Sequence, residues 1–108
     1  IYMPICKGIK KLNKSNAGRK VMVIYSDMLE NSDLANFHSK KRDFDKWKVN
    51  FDEACDCEDT ADLEIYVVYP VDKNNDSKIQ TASEFWSDFL MSKGLDEDAF
   101  HFETTIDL

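Results

Sequence analysis

The feature that most constrains this chain is an unbroken apolar run, Val21, Met22, Val23, Ile24 and Tyr25. A strand with one face in water alternates apolar and polar side chains, whereas a parallel strand covered by helices on both faces reads as a continuous apolar stretch. The run is therefore expected to be an interior parallel strand. A second stretch lies at residues 63–69, where Ile65, Tyr66, Val67 and Val68 favour extended backbone. Pro70 ends it, because proline has no N–H to give to a ladder. Both runs fall far short of the roughly 20 apolar residues that span a bilayer, so no transmembrane segment is expected.

Helical periodicity fills the intervals. In residues 4–15, Ile5, Ile9 and Leu12 recur at four and three residues, with Pro4 suited to a first turn and Lys7, Lys10, Lys11 and Lys14 on the opposite face. Residues 16–18 end that helix. Phe44, Trp47, Phe51 and Cys55 mark a second helix capped near Asp43. Ile79, Ala82, Trp86, Phe89 and Leu90 mark a third, with Ser77 as its cap and Gly94 just beyond its last turn. Trp47 and Trp86 fall on these stripes and are expected in the core. Residues 99–106 alternate in part, with Phe100, Phe102 and Thr104 on one side, and predict a third strand near a sheet edge.

Helix, strand, helix, strand, helix, strand with short connections requires parallel strands joined by right-handed crossovers. The fold class that follows is α/β, a three-layer sandwich around a mostly parallel, doubly wound, Rossmann-like sheet, with residues 1–108 as one domain. Such sheets usually hold five or six strands, so three fit a partial domain in which one flank of the first strand lacks its neighbour. An apolar edge of that kind invites pairing with another chain.

The formal net charge of −7 argues against nucleic-acid binding, which draws most of its affinity from phosphate neutralisation by Lys and Arg. The charge is unevenly divided: residues 1–50 carry +6 and residues 51–108 carry −13. Internal complementarity with solvated faces is the expected reading, and attraction of the first half to an acidic surface is the alternative. Cys6, Cys55 and Cys57 are an odd, sparse set, expected to be reduced thiols, and neither His38 nor His101 completes a zinc-ligand spacing with them. The first residue is Ile1, with no basic segment followed by an apolar one, which fits a processed or excised piece. Nothing in the sequence assigns a compartment.

Residues 26–33, SDMLENSD, form a polar, turn-rich loop at the carboxyl end of the first strand, where open α/β sheets gather ligands. Asp27 is expected there as a loop cap accepting backbone N–H groups, or as a ligand to a cation or substrate. Glu30 and Asp33 are candidates to assist a cation at the same loop. The basic run Lys40, Lys41 and Arg42 reads as a solvated loop rather than an anion site, and the carboxylates between Glu53 and Asp62 read as a solvated connection.

Three segments carry a family resemblance: VMVIYSDM, LEIYVVYP, and SEFWSDFLMSKG followed by a short strand and the closing Asp107-Leu108. Together they resemble the carboxyl-terminal half of a von Willebrand factor A-like domain, the third segment in a pattern associated with bacterial members. The resemblance implies a protein-interaction or ligand-binding module that works through a protein partner or self-association. It also implies a metal-dependent adhesion site, built by a first-loop Asp-x-Ser-x-Ser, a second-loop Thr and an Asp after the strand corresponding to Val21–Tyr25. Asp27 matches that last position, with Ser26 beside it, and the first-loop motif is absent from this chain. The expectation is no cofactor, or a divalent cation such as magnesium if an amino-terminal half completes the site, since magnesium needs several oxygen ligands in octahedral array. The alternative is a small α/β enzyme or phosphoacceptor domain using Asp27. Against that alternative, the chain has three glycines and none lies in a phosphate-cradling loop.

Overall fold

A computed structural model describes residues 1–39, 41–57 and 59–105. Three helices, α1 (Tyr2–Asn13), α2 (Phe44–Ala54) and α3 (Asp76–Ser92), alternate with three strands, β1 (Lys20–Tyr25), β2 (Leu63–Val68) and β3 (Phe100–Glu103). The strands form one all-parallel sheet in the order β1-β2-β3. The α/β class and Rossmann-like topology read from the sequence are those of the protein. No helix among the described residues is long and apolar enough to cross a membrane.

The register assigns the sheet two unlike faces. Met22 lies opposite Ile65 and Ile24 opposite Val67, while Ile65 and Val67 lie opposite Phe100 and Phe102. Side chains alternate along a strand, so these residues share one face, and there they join the core. The other face carries Val21, Val23 and Tyr25 beside Glu64, Tyr66 and Val68, with His101 stacked on Tyr66 at 4.4 Å. Val23 is 37% exposed and Tyr25 76%.

All three helices converge on the first face. Tyr2 of α1 stacks on Phe51 of α2 at 4.2 Å, and Phe51 meets Phe85 and Phe89 of α3 edge-on at 5.3 and 5.4 Å. Among the described residues, two of the three expected layers are therefore present. The strand order explains this: two right-handed crossovers that each advance the sheet in the same direction lay α2 and α3 on the same side. It also makes β2, not β1, the interior strand. The unbroken apolar run of β1 belongs to an edge strand whose second face carries no helix among the described residues.

Local chemistry accounts for the element ends. The Asp43 side chain accepts the Lys46 N–H at 3.2 Å, the expected cap of α2. The cap of α3 is Asn75 rather than Ser77, two residues earlier, because a 3₁₀ turn over Lys73–Asn75 feeds directly into the helix. Gly94 stands at φ +106°, beyond the reach of a side-chain-bearing residue without strain, where the chain reverses after α3. Helix α1 begins at Tyr2, ahead of the expected start, and Pro4 remains in its first turn. The closing residues Asp107 and Leu108 of the family pattern lie outside the described residues, as do Lys40 and Glu58.

The thiol expectation fails for two of the three cysteines. Cys6 and Cys55 are joined in a disulfide, with their Cα atoms 6.4 Å apart and a sequence separation of 49. Cys6 sits on the buried stripe of α1 with Ile5 and Ile9, and Cys55 is the residue that ends α2. An odd cysteine count hides such a pair, because the packing of α1 against the end of α2 decides it. Cys57 is the free cysteine among the described residues and is buried; burial pushes its thiol pKa up, although a hydrogen bond with Tyr2 opposes the rise.

A bridge closing a loop of this length restricts the unfolded chain by about 4 kcal/mol in the loop-entropy estimate, with measured bridges commonly giving about 2–4 kcal/mol. Cys6→Ser is expected to lower the unfolding free energy by about 3 kcal/mol, read as a fall in the urea midpoint. An unchanged midpoint would show that the bridge does not form in solution.

Candidate functional site

The carboxyl edge of the sheet is built by the segment that leaves β1. The Ser26 N–H donates to the Val68 carbonyl at 3.0 Å, extending the ladder one residue past the strand. The chain then turns sharply. Ser26 Oγ accepts the Met28 N–H and Asp27 Oδ1 accepts the Leu29 N–H, both at 3.0 Å, and Met28 adopts a left-handed φ of 60°. A side-chain-bearing residue holds that conformation where its surroundings fix it. Here Met28 and Leu29 are buried and the Trp86 indole N–H donates to the Met28 carbonyl at 3.0 Å.

Beyond the turn the segment folds on itself. Phe37 N–H donates to the Glu30 carbonyl and Ser32 N–H to the Ala35 carbonyl, both at 3.0 Å, around a bridge between Asn31 and Asn36. Ala35 and Phe37 are buried, and Asn50 of α2 donates its amide to the Leu34 carbonyl at 2.9 Å. The loop that reads as polar and turn-rich is thus pinned by four buried apolar residues. Their sequence signal, isolated apolar residues in a polar stretch, has no period to reveal it.

The structure separates the residues expected to share a cation. Ser26 and Asp27 line a shallow groove with Tyr25, Val68, Pro70 and Thr104. Glu30 is turned inward and buried, and its carboxylate accepts the Tyr2 N–H at 2.8 Å, capping α1 from a distance. Asp33 lines other grooves beside Leu34, one of which Glu30 also borders, away from Ser26 and Asp27. Ser26 Oγ and Asp27 Oδ1 each already accept a backbone N–H, as the loop-cap reading of Asp27 expects. No group of three or more His, Cys, Asp or Glu among the described residues is placed to hold a metal ion. Ser26 and Asp27 as described do not fit an octahedral cation without donors from elsewhere.

A different concavity at the same edge gathers a set of polar groups. It has a volume of about 250 Å³ and lies where the loop after β1 meets α2 and the first turns of α3. Phe37 and Trp47 give it an aromatic wall, their rings 4.8 Å apart. His38, Ser39, Arg42, Ser77 and Lys78 give it polar groups, and no carboxylate lines it. The basic run expected to be a solvated loop thus sends Arg42 to a built cavity. Lys78, from α3, is the residue that sequence reasoning had no means of placing beside it.

Compared with known protein families, curated proteins and solved structures, the chain matches none of them.

The Glu30 bond to the first turn of α1 is a buried, charge-assisted hydrogen bond at the positive end of a helix. Glu30→Ala is expected to cost about 2 kcal/mol, within the range for hydrogen bonds to charged groups. Amide exchange should show α1 opening first in the variant; unaltered protection across Tyr2–Asn13 would count against the distant cap.

Proposed function

We propose that this chain is a protein-interaction or ligand-binding module of von Willebrand factor A-like character, presenting the loops at the carboxyl edge of its sheet. The observation that carries this reading is the preorganisation of the loop after β1, whose turns and buried Met28, Leu29, Ala35 and Phe37 hold polar tips in one arrangement. A loop already ordered loses less freedom on binding, which favours affinity. The resemblance of VMVIYSDM and its companion segments points to the same edge.

The phosphoacceptor alternative finds less support. One Asp27 oxygen caps the Leu29 N–H, and no lysine lines the groove that holds this aspartate. Incubation with acetyl phosphate and magnesium is expected to leave Asp27 unlabelled by mass spectrometry; a label on Asp27 would revive the enzyme.

Self-association is a second reading, favoured by the outer edge of β1, which pairs with no other strand among the described residues, and by the exposure of Val23 and Tyr25. Sedimentation decides it: a dimer that dissociates in Val23→Pro supports pairing along β1, and a monomer at all concentrations removes it.

For the module itself the test is a peptide-display selection on the immobilised chain. Enriched peptides should lose about tenfold or more in affinity for an Asp33→Ala, Lys46→Ala variant and keep their affinity for Val23→Thr, which alters the open sheet face. Peptides indifferent to this double variant, or no enrichment at all, would overturn the reading.

A further inference from the structure

Four features of the concavity beside Trp47 point to one kind of ligand. The first is charge. In a chain of net charge −7, this cavity collects Arg42 and Lys78 without a carboxylate in its lining. Neither Arg42 nor Lys78 forms an ion pair among the described residues, whereas Arg19, Lys48 and Lys93 all do.

The second is donor direction. Lys78 Nζ lies 3.3 Å from His38 Nδ1. An ammonium has no acceptor, so Nδ1 must accept, which puts the imidazole proton on Nε2 as a further donor. The third is the Trp47 indole. It is 7% exposed, its Nε1 makes no hydrogen bond among the described residues, and no side-chain nitrogen among them is both fully buried and unpartnered. The N–H is therefore not sealed in the core, and the ring lines this cavity and its neighbour, while the Trp86 N–H is spent on a carbonyl.

The fourth is the start of α3. This 17-residue helix has no side-chain cap bond at its N-terminus and carries Asp76 in its first turn, and its next residues, Ser77 and Lys78, line the cavity. Arg42, Lys78, His38 Nε2 and Trp47 Nε1 offer more donors than the two oxygens of a carboxylate comfortably use. A tetrahedral phosphate presents three oxygens and up to two charges, and a guanidinium binds two of them at once. A volume of about 250 Å³ lies below the roughly 300–1,000 Å³ of drug-sized sites and suits a phosphate with a short attachment.

We propose that this concavity binds the phosphate group of a phosphomonoester, held by Arg42, Lys78 and the Trp47 indole N–H, with Phe37 flanking the attached group. The inference rests on the reading of the carboxyl edge as the binding end and names the chemistry recognised there. A phosphorylated side chain and a small phosphomonoester share that chemistry.

The test is a ¹H–¹⁵N NMR titration of the whole chain with three probes at constant ionic strength: inorganic phosphate, phenyl phosphate and a short phosphoserine peptide. Saturable shifts are expected at the Trp47 indole N–H and the amides of His38, Arg42, Ser77 and Lys78, with the Trp86 indole unmoved as an internal control. Arg42→Gln and Lys78→Gln, both at solvent-accessible positions, should each weaken binding about tenfold or more while leaving the rest of the spectrum intact. A tenfold preference for the peptide over phenyl phosphate identifies a protein-borne phosphate, and the reverse a small molecule. No saturable shift with any probe, or equal affinity in both variants, would overturn the proposal. Because the display selection is scored at Asp33 and Lys46, a phosphate site can fail while the interaction module stands, and the converse holds.

Discussion

The packing of Tyr2 against Phe51 is the contact on which the rest of the architecture depends. Its ring stacks on α2 at 4.2 Å and lies edge-on to Phe89 of α3 at 5.6 Å, so one residue at the start of α1 touches both other helices. Its N–H is bound by the buried Glu30 carboxylate at 2.8 Å, and its hydroxyl donates to the Cys55 carbonyl. Burial holds that hydroxyl protonated far above the ordinary tyrosine range. One turn further along α1, Cys6 is bonded to Cys55. Stacking, a helix cap, a hydroxyl bond and a disulfide therefore secure the same junction by four different means, and each aligns the others.

That junction decides which face of the sheet is covered. With α1 tied to the end of α2 and both against Phe85, Trp86 and Phe89, the aromatic mass lies on the side of Met22, Ile65 and Phe102. Rings at these separations add to the stabilisation from area alone. The opposite face is left with Val21, Val23, Tyr25 and the Tyr66–His101 stack, closed at one end by the bidentate Arg19–Glu64 pair. Its arginine holds the Glu64 carboxyl below the usual range. This pair and Lys48–Asp88 bring a basic first-half residue against an acidic second-half one, the complementarity that the divided charge suggests.

Much of the fold was legible because it rests on periodicity. Ile5 and Ile9, Trp47 and Phe51, and Ala82, Trp86 and Phe89 recur at helical spacing and are buried where that spacing puts them. What was not legible depends on relations between distant residues. Continuous apolar sequence cannot distinguish an interior strand from an edge strand with one apolar open face, so β1 reads as doubly covered. The Cys6–Cys55 bridge and the Glu30 cap join positions far apart in the chain. Of the candidate site, Ser26 and Asp27 were correctly set at the tip of β1, yet their oxygens close a turn. The cavity that gathers donors needs Arg42 and Lys78, from two elements whose approach only the packing of α2 on α3 determines.

The same packing explains why positive charge persists in that cavity. Trp47 is packed edge-on against Phe85 and against the tilted rings of Phe37 and Phe44, which restrict its movement. Phe37 in turn is fixed by its backbone bond to Glu30, the residue that caps α1. Arg42 and Lys78 therefore flank a wall whose position is set by the core rather than by their own contacts. Like charges gathered on a rigid wall, without a carboxylate in the lining, repel one another and destabilise the free protein locally. An arrangement of that kind is relieved by an anion from outside, which links the Tyr2 junction to the chemistry at the carboxyl edge.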